Sequence, residues 1–239
     1  MFMEKIEELI KIINKSNNIV AFTGAGVSTL SGIKDFRGKN GLYKEKFKYS
    51  AEYYLSSKCF FLEPDTFYEF YKSNMNVLDK KPNIVHKYLT KLEKEGKLKA
   101  VITQNIDGLD KRSGTKNVLE VHGTIYKNYC VKCGKEYNAE YIFNSKDIPY
   151  CNCKGIIKPY VVLYGEMLNE DFDKAVYYIN NADTLIVLGS SLTVEPAASL
   201  VRNFNGTLVI INDDITPLDK YANLVIHDDL ENVISKLNM

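Results

Sequence analysis

The sequence predicts an α/β protein built on a parallel sheet covered by helices on both faces. Three observations carry that expectation. Short apolar runs recur at Ile19-Val20-Ala21-Phe22, Ala100-Val101-Ile102-Thr103, Val118-Leu119-Glu120-Val121, Tyr160-Val161-Val162-Leu163, Thr184-Leu185-Ile186-Val187-Leu188, Thr207-Leu208-Val209-Ile210-Ile211 and Leu224-Val225-Ile226. Near-continuous apolar strands are what a sheet buried on both faces requires. Helical spacing separates the later runs, the pattern of a crossover-connected sheet. Polar residues also gather where the runs stop, at Thr23-Gly24, Gln104-Asn105-Ile106-Asp107, His122-Gly123, Gly165-Glu166, Gly189-Ser190-Ser191 and Asn212-Asp213. Ligands of such sheets sit outside the carboxyl ends of the strands.

Taken in order, Ile6, Leu9, Ile10 and Ile13 fall at helical spacing, and the opening residues lack the basic region, continuous apolar core and small-residue cleavage site of a signal peptide. The first strand runs into Thr23-Gly24-Ala25-Gly26-Val27-Ser28. Strand, glycine turn and helix start together form a phosphate-binding arrangement, because backbone N–H groups come close to the anion. Thr29 occupies the place of the third glycine of the usual dinucleotide fingerprint, and no strand ending in Asp or Glu follows about 20 residues on. A turn that merely packs a helix on the sheet therefore stays open as an alternative. Residues 38–83, rich in Lys, Tyr and Phe, form an insertion. Pro64-Asp65 opens a short helix there, with Phe67, Phe70 and Tyr71 forming the insertion's own small core. A helix then runs from Pro82 through Ile84, Val85, Tyr88, Leu89 and Leu92 to a stop at Gly96. A last helix follows Leu224-Val225-Ile226.

At 239 residues the chain holds one large domain or two modest ones. A hydrophobic fraction of 45% and a charged fraction of 26% mark an ordinary globular protein. A net charge of +1 supplies no field for nucleic acid or an anionic membrane. No stretch approaches the roughly 18 uncharged apolar residues of a membrane span, so a cytoplasmic protein is expected. Cys130-Val131-Lys132-Cys133 and Cys151-Asn152-Cys153 are separated by 17 residues, a spacing suited to a structural four-thiolate zinc ribbon that ties down residues 125–157. The second pair has one intervening residue where two are usual, so its knuckle must be tighter. Cys59 stands far from both pairs and is expected to be a buried small apolar residue.

Read together, the motifs resemble the sirtuins, the NAD-dependent protein deacylases. They are Gly24-Ala25-Gly26-Val27-Ser28 with Gly32-Ile33-Lys34-Asp35-Phe36-Arg37, Thr103-Gln104-Asn105-Ile106-Asp107-Gly108-Leu109, Glu120-Val121-His122-Gly123, the four cysteines, Val162-Leu163-Tyr164-Gly165-Glu166, Gly189-Ser190-Ser191-Leu192 and Ile211-Asn212. They keep the family's order from about residue 19 to the end. The resemblance implies a Rossmann-like NAD-binding domain over residues 1–37, 84–124 and 158–239. A helical insertion (38–83) and a zinc-ribbon insertion (125–157) would form the small domain. The expected partners are NAD, as co-substrate, and acyl-lysine proteins; the expected assembly is a monomer. Products would be free lysine, nicotinamide and an O-acyl-ADP-ribose.

The resemblance also implies roles. Gly24, Ala25, Gly26, Ser28 and Thr29 would hold the pyrophosphate, with Gly189, Ser190 and Ser191 closing the site. Asn212 and Asp213 would serve the adenosine ribose, and Asp229 would lie near the adenine. Asp35, Phe36 and Arg37 belong to a loop that covers the cofactor and excludes water from a reactive sugar cation. Asp107 and Ile33 would hold the nicotinamide amide within the Gln104-Asn105-Ile106-Asp107 run, and Asn105 would position the ribose hydroxyls or a water. His122 is the implied general base, suited by an ordinary pKa near 6.5. Val162, Leu163, Tyr164, Gly165 and Glu166 on one side, and Leu192, Thr193 and Val194 on the other, would grip the peptide as an added strand.

Lys34 stands where the family usually has Pro, which leaves the loop less fixed. Asp110 replaces a frequent His, a change expected to alter the polarity of the channel. Relatives that remove succinyl or malonyl groups carry Tyr and Arg three residues apart in the first insertion. This chain has no Arg between Arg37 and Arg112, and Ser56 and Ser57 follow Tyr53 and Tyr54, so neutral acyl groups are expected. A protein ADP-ribosyltransferase and a non-catalytic NAD-sensing scaffold are the rival readings. The first would leave label from NAD on protein; the second is disfavoured by Asn105, Asp107 and His122.

Overall fold

The computed structural model describes residues 2–36, 38, 41–44 and 46–237. The described strands are β1 (Ile19–Thr23), β2 (Leu98–Thr103), β3 (Val118–Glu120), β4 (Gly123–Cys130), β5 (Glu136–Tyr137), β6 (Ile157–Val161), β7 (Thr184–Leu188), β8 (Thr207–Ile211) and β9 (Leu224–Ile226). Six of them form one sheet in the order β3-β2-β1-β7-β8-β9, and every pairing in it is parallel. The order turns back between β1 and β7, and this switch point is where a doubly wound sheet opens its ligand crevice.

Side chains alternate along these strands, so the two faces meet different helices. Ile19, Ala21, Val101, Ile186 and Val209 pack on one face with Ile6 and Leu9 of the helix Phe2–Lys15, Val85 and Leu89 of Ile84–Lys94, and Val233 of Leu230–Leu237. Val20, Phe22, Ile102, Val187 and Ile210 pack on the other with Ala175 and Ile179 of Asp171–Asn180 and Val201 of Ala197–Arg202. Each fully buried Ile, Leu, Val or Phe contributes about 1.5–3 kcal/mol through burial. The helix Ile84–Lys94 is capped by Asn83, whose side chain accepts from the Val85 N–H at 2.9 Å and donates to the Val27 carbonyl at 2.8 Å. Beyond Glu95 the chain turns at Gly96, with φ +74°.

Two sequence expectations change here. The run Tyr160–Leu163 does not join the parallel sheet: β6 ends at Val161 and pairs antiparallel with β4 in a second sheet ordered β5-β4-β6. An apolar run fixes neither partner nor direction, which depend on what the long cysteine-bearing insertion brings alongside. Among the described residues the first insertion holds three α-helices, Ala51–Tyr54, Ser57–Leu62 and Pro64–Met75, and a 3-10 turn, Leu42–Lys44, rather than one helix. The two shorter ones span too few residues to show a period and depend on caps, Ser50 accepting from Tyr53 N–H and Ser56 from Cys59 N–H. Their aromatics do not form a private core. Phe60, Phe67 and Tyr71 share one cluster with Ile125, Ile142, Ile157 and Leu163, and Tyr71 stacks between Phe67 at 5.4 Å and Phe143 at 5.7 Å. Cys59 is fully buried in that cluster, as expected of a small apolar side chain, and burial lifts its thiol to about 11.

Candidate active site

A cleft of about 960 Å³ opens at the carboxyl ends of β1, β2, β7 and β8, between the parallel sheet and the smaller one. Its first wall is the glycine turn. A Cβ on Gly24 would lie 2.6 Å from the Gly189 carbonyl oxygen, and one on Gly26 would lie 2.8 Å from Gly189 Cα. The glycines therefore let two strand-end loops touch, and Gly26 N–H donates to Gly189 O at 2.9 Å. The turn thus packs its helix against the sheet, and Gly24, Ala25, Gly26, Thr29, Gly189, Ser190 and Ser191 also line the cleft. Ser190 is fixed by Gln104, whose side-chain amide donates to its Oγ at 2.8 Å.

The floor is a buried polar network. Asn105 donates its two amide hydrogens to Gly24 O at 3.0 Å and Ser28 Oγ at 3.1 Å, and its backbone N–H to Thr103 Oγ1 at 3.1 Å. Ser28 in turn donates to Asp107 Oδ2 at 2.6 Å, and Leu109 N–H donates to Oδ1 at 2.8 Å. Burial pushes the Asp107 carboxyl above its ordinary range, against the pull of these two hydrogen bonds. Gln104, Asn105 and Ile106 line the cleft, whereas Ser28, Ile33, Asp107 and Leu192 do not; Ser28 and Asp107 lie beneath the floor as the hydrogen-bonded support of Asn105. Asp110 is also misplaced by the sequence reading. It is 2% exposed below the floor, so it does not set the polarity of the cleft.

Of the three histidines, only His122 lines the cleft. Its Nδ1 lies 3.1 Å from the Gln104 carbonyl oxygen. A carbonyl only accepts, so Nδ1 carries the proton and Nε2 presents a lone pair. Burial lowers the imidazole pKa below 6.5, only partly opposed by that hydrogen bond, which keeps the ring neutral at physiological pH. The His122 carbonyl accepts from Val162 N–H at 2.9 Å, and a Cβ on Gly123 (φ +78°) would lie 2.0 Å from the Tyr160 oxygen. The imidazole is thus joined directly to the edge Val162–Glu166.

That edge lines the cleft throughout, and Tyr164 is braced from outside by Leu55 O and Ser57 N–H at 2.9 and 3.0 Å. Among the described residues, the Val162 carbonyl and the Gly165 N–H have no hydrogen-bond partner, the open pattern that an added strand needs. Thr193 and Val194 face the same cleft. Asp35, Phe36, Asn212, Asp213 and Asp229 also line it; Asp229 additionally caps the last helix, its Oδ1 accepting from Glu231 N–H at 2.7 Å. Arg37 lies outside the described residues.

The Sγ atoms of Cys130, Cys133, Cys151 and Cys153 lie within 4.8 Å of one another, with neighbours at 3.4–3.6 Å. Four thiolates at the zinc–sulfur distance would stand about 3.8 Å apart, so the donor set fits a tetrahedral zinc. All four positions being thiols, the site suits a structural ion.

The model of the Sir2 family matches residues 24–196. The chain belongs to the Sir2 family. It is 50% identical over 240 residues to an NAD-dependent protein deacetylase of Clostridium acetobutylicum, covering 98% of each chain. It is also 50% identical to one of Staphylococcus epidermidis, covering 97% of this chain and 96% of the relative. Among solved structures it is similar to a Sir2 variant with deacetylated p53 peptide and 3'-O-acetyl ADP ribose, at TM-score 0.90 and 41% identity, covering 97% and 96% of the two chains. It is likewise similar to a Sir2–p53 peptide–NAD+ complex, at TM-score 0.87 and 39% identity with the same coverage.

In this Sir2 chain the sequence reading missed several cleft residues: Tyr43, Leu55, Leu168 and the segment Asp214-Ile215-Thr216-Pro217. The last follows β8 directly, so the rule that ligands gather at strand ends offered a signal for it. Tyr43 and Leu55 come from short helical pieces that carry no such signal.

Proposed function

We infer that this chain is an NAD-dependent protein-lysine deacylase. The observation that carries the reading is His122, a neutral imidazole with its proton fixed on Nδ1, at the switch-point cleft and bonded through its carbonyl to an open strand edge. NAD bound in the cleft would supply the ribose carbon from which the acyl oxygen displaces nicotinamide, and one water, entering after nicotinamide has left, completes the conversion to free lysine and O-acyl-ADP-ribose. Ala25 and Thr29 hold the pyrophosphate with Gly189, Ser190 and Ser191. Asn212 and Asp213 serve the adenosine ribose and Asp229 the adenine. Asp35 and Phe36, with Ile33 behind them, cover the nicotinamide ribose and exclude water. Asn105 positions the ribose hydroxyls with its Oδ1, because both amide hydrogens are already used to hold it in place. Asp107 shapes the nicotinamide pocket from below through Ser28 and the backbone at Leu109. His122 Nε2 takes the proton from a ribose hydroxyl.

The peptide adds as a strand along Val162–Glu166, opposite Leu192–Val194. Cys130, Cys133, Cys151 and Cys153 hold zinc, which cross-links the ribbon and takes no part in the chemistry. The small domain comprises residues 38–83 and 125–157. The four thiolates that zinc requires favour the reducing cytoplasm as the working compartment. A net charge of +1 supplies no field for nucleic acid or an anionic membrane, so the partners are proteins, and the working assembly is a monomer. Among the described residues no helix is long and apolar enough to cross a membrane. Incubation with NAD carrying labelled ADP-ribose and an acetyl-lysine peptide tests the reaction class. Label appearing in a small soluble product together with deacylated peptide is expected; label fixed on protein without deacylation would replace this reading with ADP-ribosyl transfer.

A further inference from the structure

Lys158 is a lysine where a lysine is costly. Its side chain is 6% exposed on β6, and burial pulls its ammonium below the usual lysine range while Glu166 pulls it back. An ammonium has three donors. Here they meet the carbonyls of Pro159 at 3.3 Å and Val161 at 3.1 Å, and Glu166 Oε2 at 3.1 Å. The same Oε2 accepts from Leu163 N–H at 2.9 Å, and Glu166 N–H returns to the Leu163 carbonyl at 2.9 Å. One positive charge therefore gathers the start, middle and end of the turn from Pro159 to Glu166.

An apolar side chain would fill the space without desolvating a charge, and such replacements of buried ion pairs are often neutral for stability. It would not hold three acceptors from separate points of the turn. The turn so held is the edge whose Val162 carbonyl and Gly165 N–H lack partners, and whose Val162 N–H is bonded to His122 O. We propose that Lys158 is a positioning residue for deacylation: its ammonium, through Glu166, fixes the Val161–Glu166 edge in the shape that receives the acyl-lysine peptide and aligns that peptide with His122. Lys158 does not line the cleft and its bonds go only to the turn Pro159–Glu166, so its effect falls on peptide binding and spares NAD.

The inference rests on the deacylase reading, and the test separates the two. Steady-state kinetics of wild type, Lys158→Met, Lys158→Arg and Glu166→Gln are measured with an acetyl-lysine peptide and NAD varied in turn. Amide hydrogen exchange of residues 161–166 is followed in the same proteins, with zinc content as the folding control. Lys158→Met is expected to raise the peptide KM about 10-fold or more, since it removes charged hydrogen bonds, while the NAD KM stays within about twofold. Lys158→Arg should bring the peptide KM back to within about threefold, and exchange at 161–166 should rise in Met but not in Arg. If Lys158→Met loses zinc, Glu166→Gln carries the test, with the same selective rise at smaller size. An unchanged peptide KM, or equal rises for peptide and NAD, would overturn the proposal. Wild-type inactivity on every acyl-lysine peptide would overturn the deacylase reading instead, and the exchange data would still decide whether Lys158 holds the edge.

Discussion

The floor of the cleft and the module that overhangs it are held together by different physics. The floor is the end of a parallel sheet, and its polar side chains are supported by buried hydrogen bonds: Asn105 donates to Thr103 and to Ser28, and Ser28 to Asp107. Among the described residues the overhang has a three-stranded sheet, four α-helices (the three of the first insertion and Ala139–Asn144), a shared aromatic cluster and four cysteines. A network of hydrogen bonds inside a large core fixes atoms to within tenths of an ångström, because each buried polar group needs its partner. The overhang buries its own aromatic cluster, and its ribbon of short strands and turns is tied by the four thiols. On the proposed reading the chemistry belongs to the floor and the peptide to the edge Val162–Glu166 that follows β6 of the small sheet, and His122 joins the two, with Nδ1 on the Gln104 carbonyl and its own carbonyl on Val162.

Breaking the overhang should have the largest effect. Cys151→Ala, or chelation, is expected to abolish deacylation and zinc content together, since structural zinc contributes on the order of 10 kcal/mol. Most of the circular dichroism from the parallel-sheet domain should remain; a fully active zinc-free protein would erase the distinction between the two regions. His122→Ala comes next, with kcat down by about 10²–10⁴ and NAD binding within a few-fold, as loss of a general base implies. In the wild type the activity should fall as pH drops through the imidazole pKa, which burial holds below 6.5. An acid limb lying above 6.5 would contradict the burial argument.

The smallest effect concerns Asp110. Burial first, then Asp107 and Glu120, raise its carboxyl to about 7, while the Thr103 hydroxyl favours the anion, and its Oδ1 has no hydrogen-bond partner. The folded pKa lies above the unfolded value, so the cost appears as pH rises through the interval from about 4 to about 7 and is fully present above it. Asp110→Asn should therefore raise the melting temperature by a few degrees at pH 8, about 2–4 °C per kcal/mol, with the gain shrinking toward pH 5. A pH-independent difference would mean that Asp110 titrates normally, and that the floor is less closely packed than described.

The same contrast governs what could be read from residues alone. β1, β2, β7 and β8 were legible because a sheet buried on both faces writes itself as apolar runs, and its strand ends collect the polar groups of the cleft. The zinc ligands were legible because four soft donors at close spacing leave few alternatives. β6 was not, since Tyr160–Leu163 carries the same apolar signal whether it pairs with the large sheet or with β4. Asp107 and Ser28 were found as residues, but their burial beneath Asn105 was not readable. Their depth depends on the loops Gly24–Thr29 and Gln104–Gly108 meeting, and no local pattern encodes that meeting. Lys158 left no signal at all, because a lone lysine beside a proline looks like any surface residue until Glu166 is brought beside it.

The central claim, that the floor performs a deacylation that consumes NAD on a peptide held at the edge Val162–Glu166, is tested most directly by product mass spectrometry. The purified protein is incubated with NAD and an acetyl-lysine peptide, and all products are counted. The account predicts deacetylated peptide, nicotinamide and O-acetyl-ADP-ribose in equal amounts, with none of them formed by His122→Ala at a comparable rate. ADP-ribose attached to protein, or acetyl groups released as free acetate without nicotinamide, would contradict it.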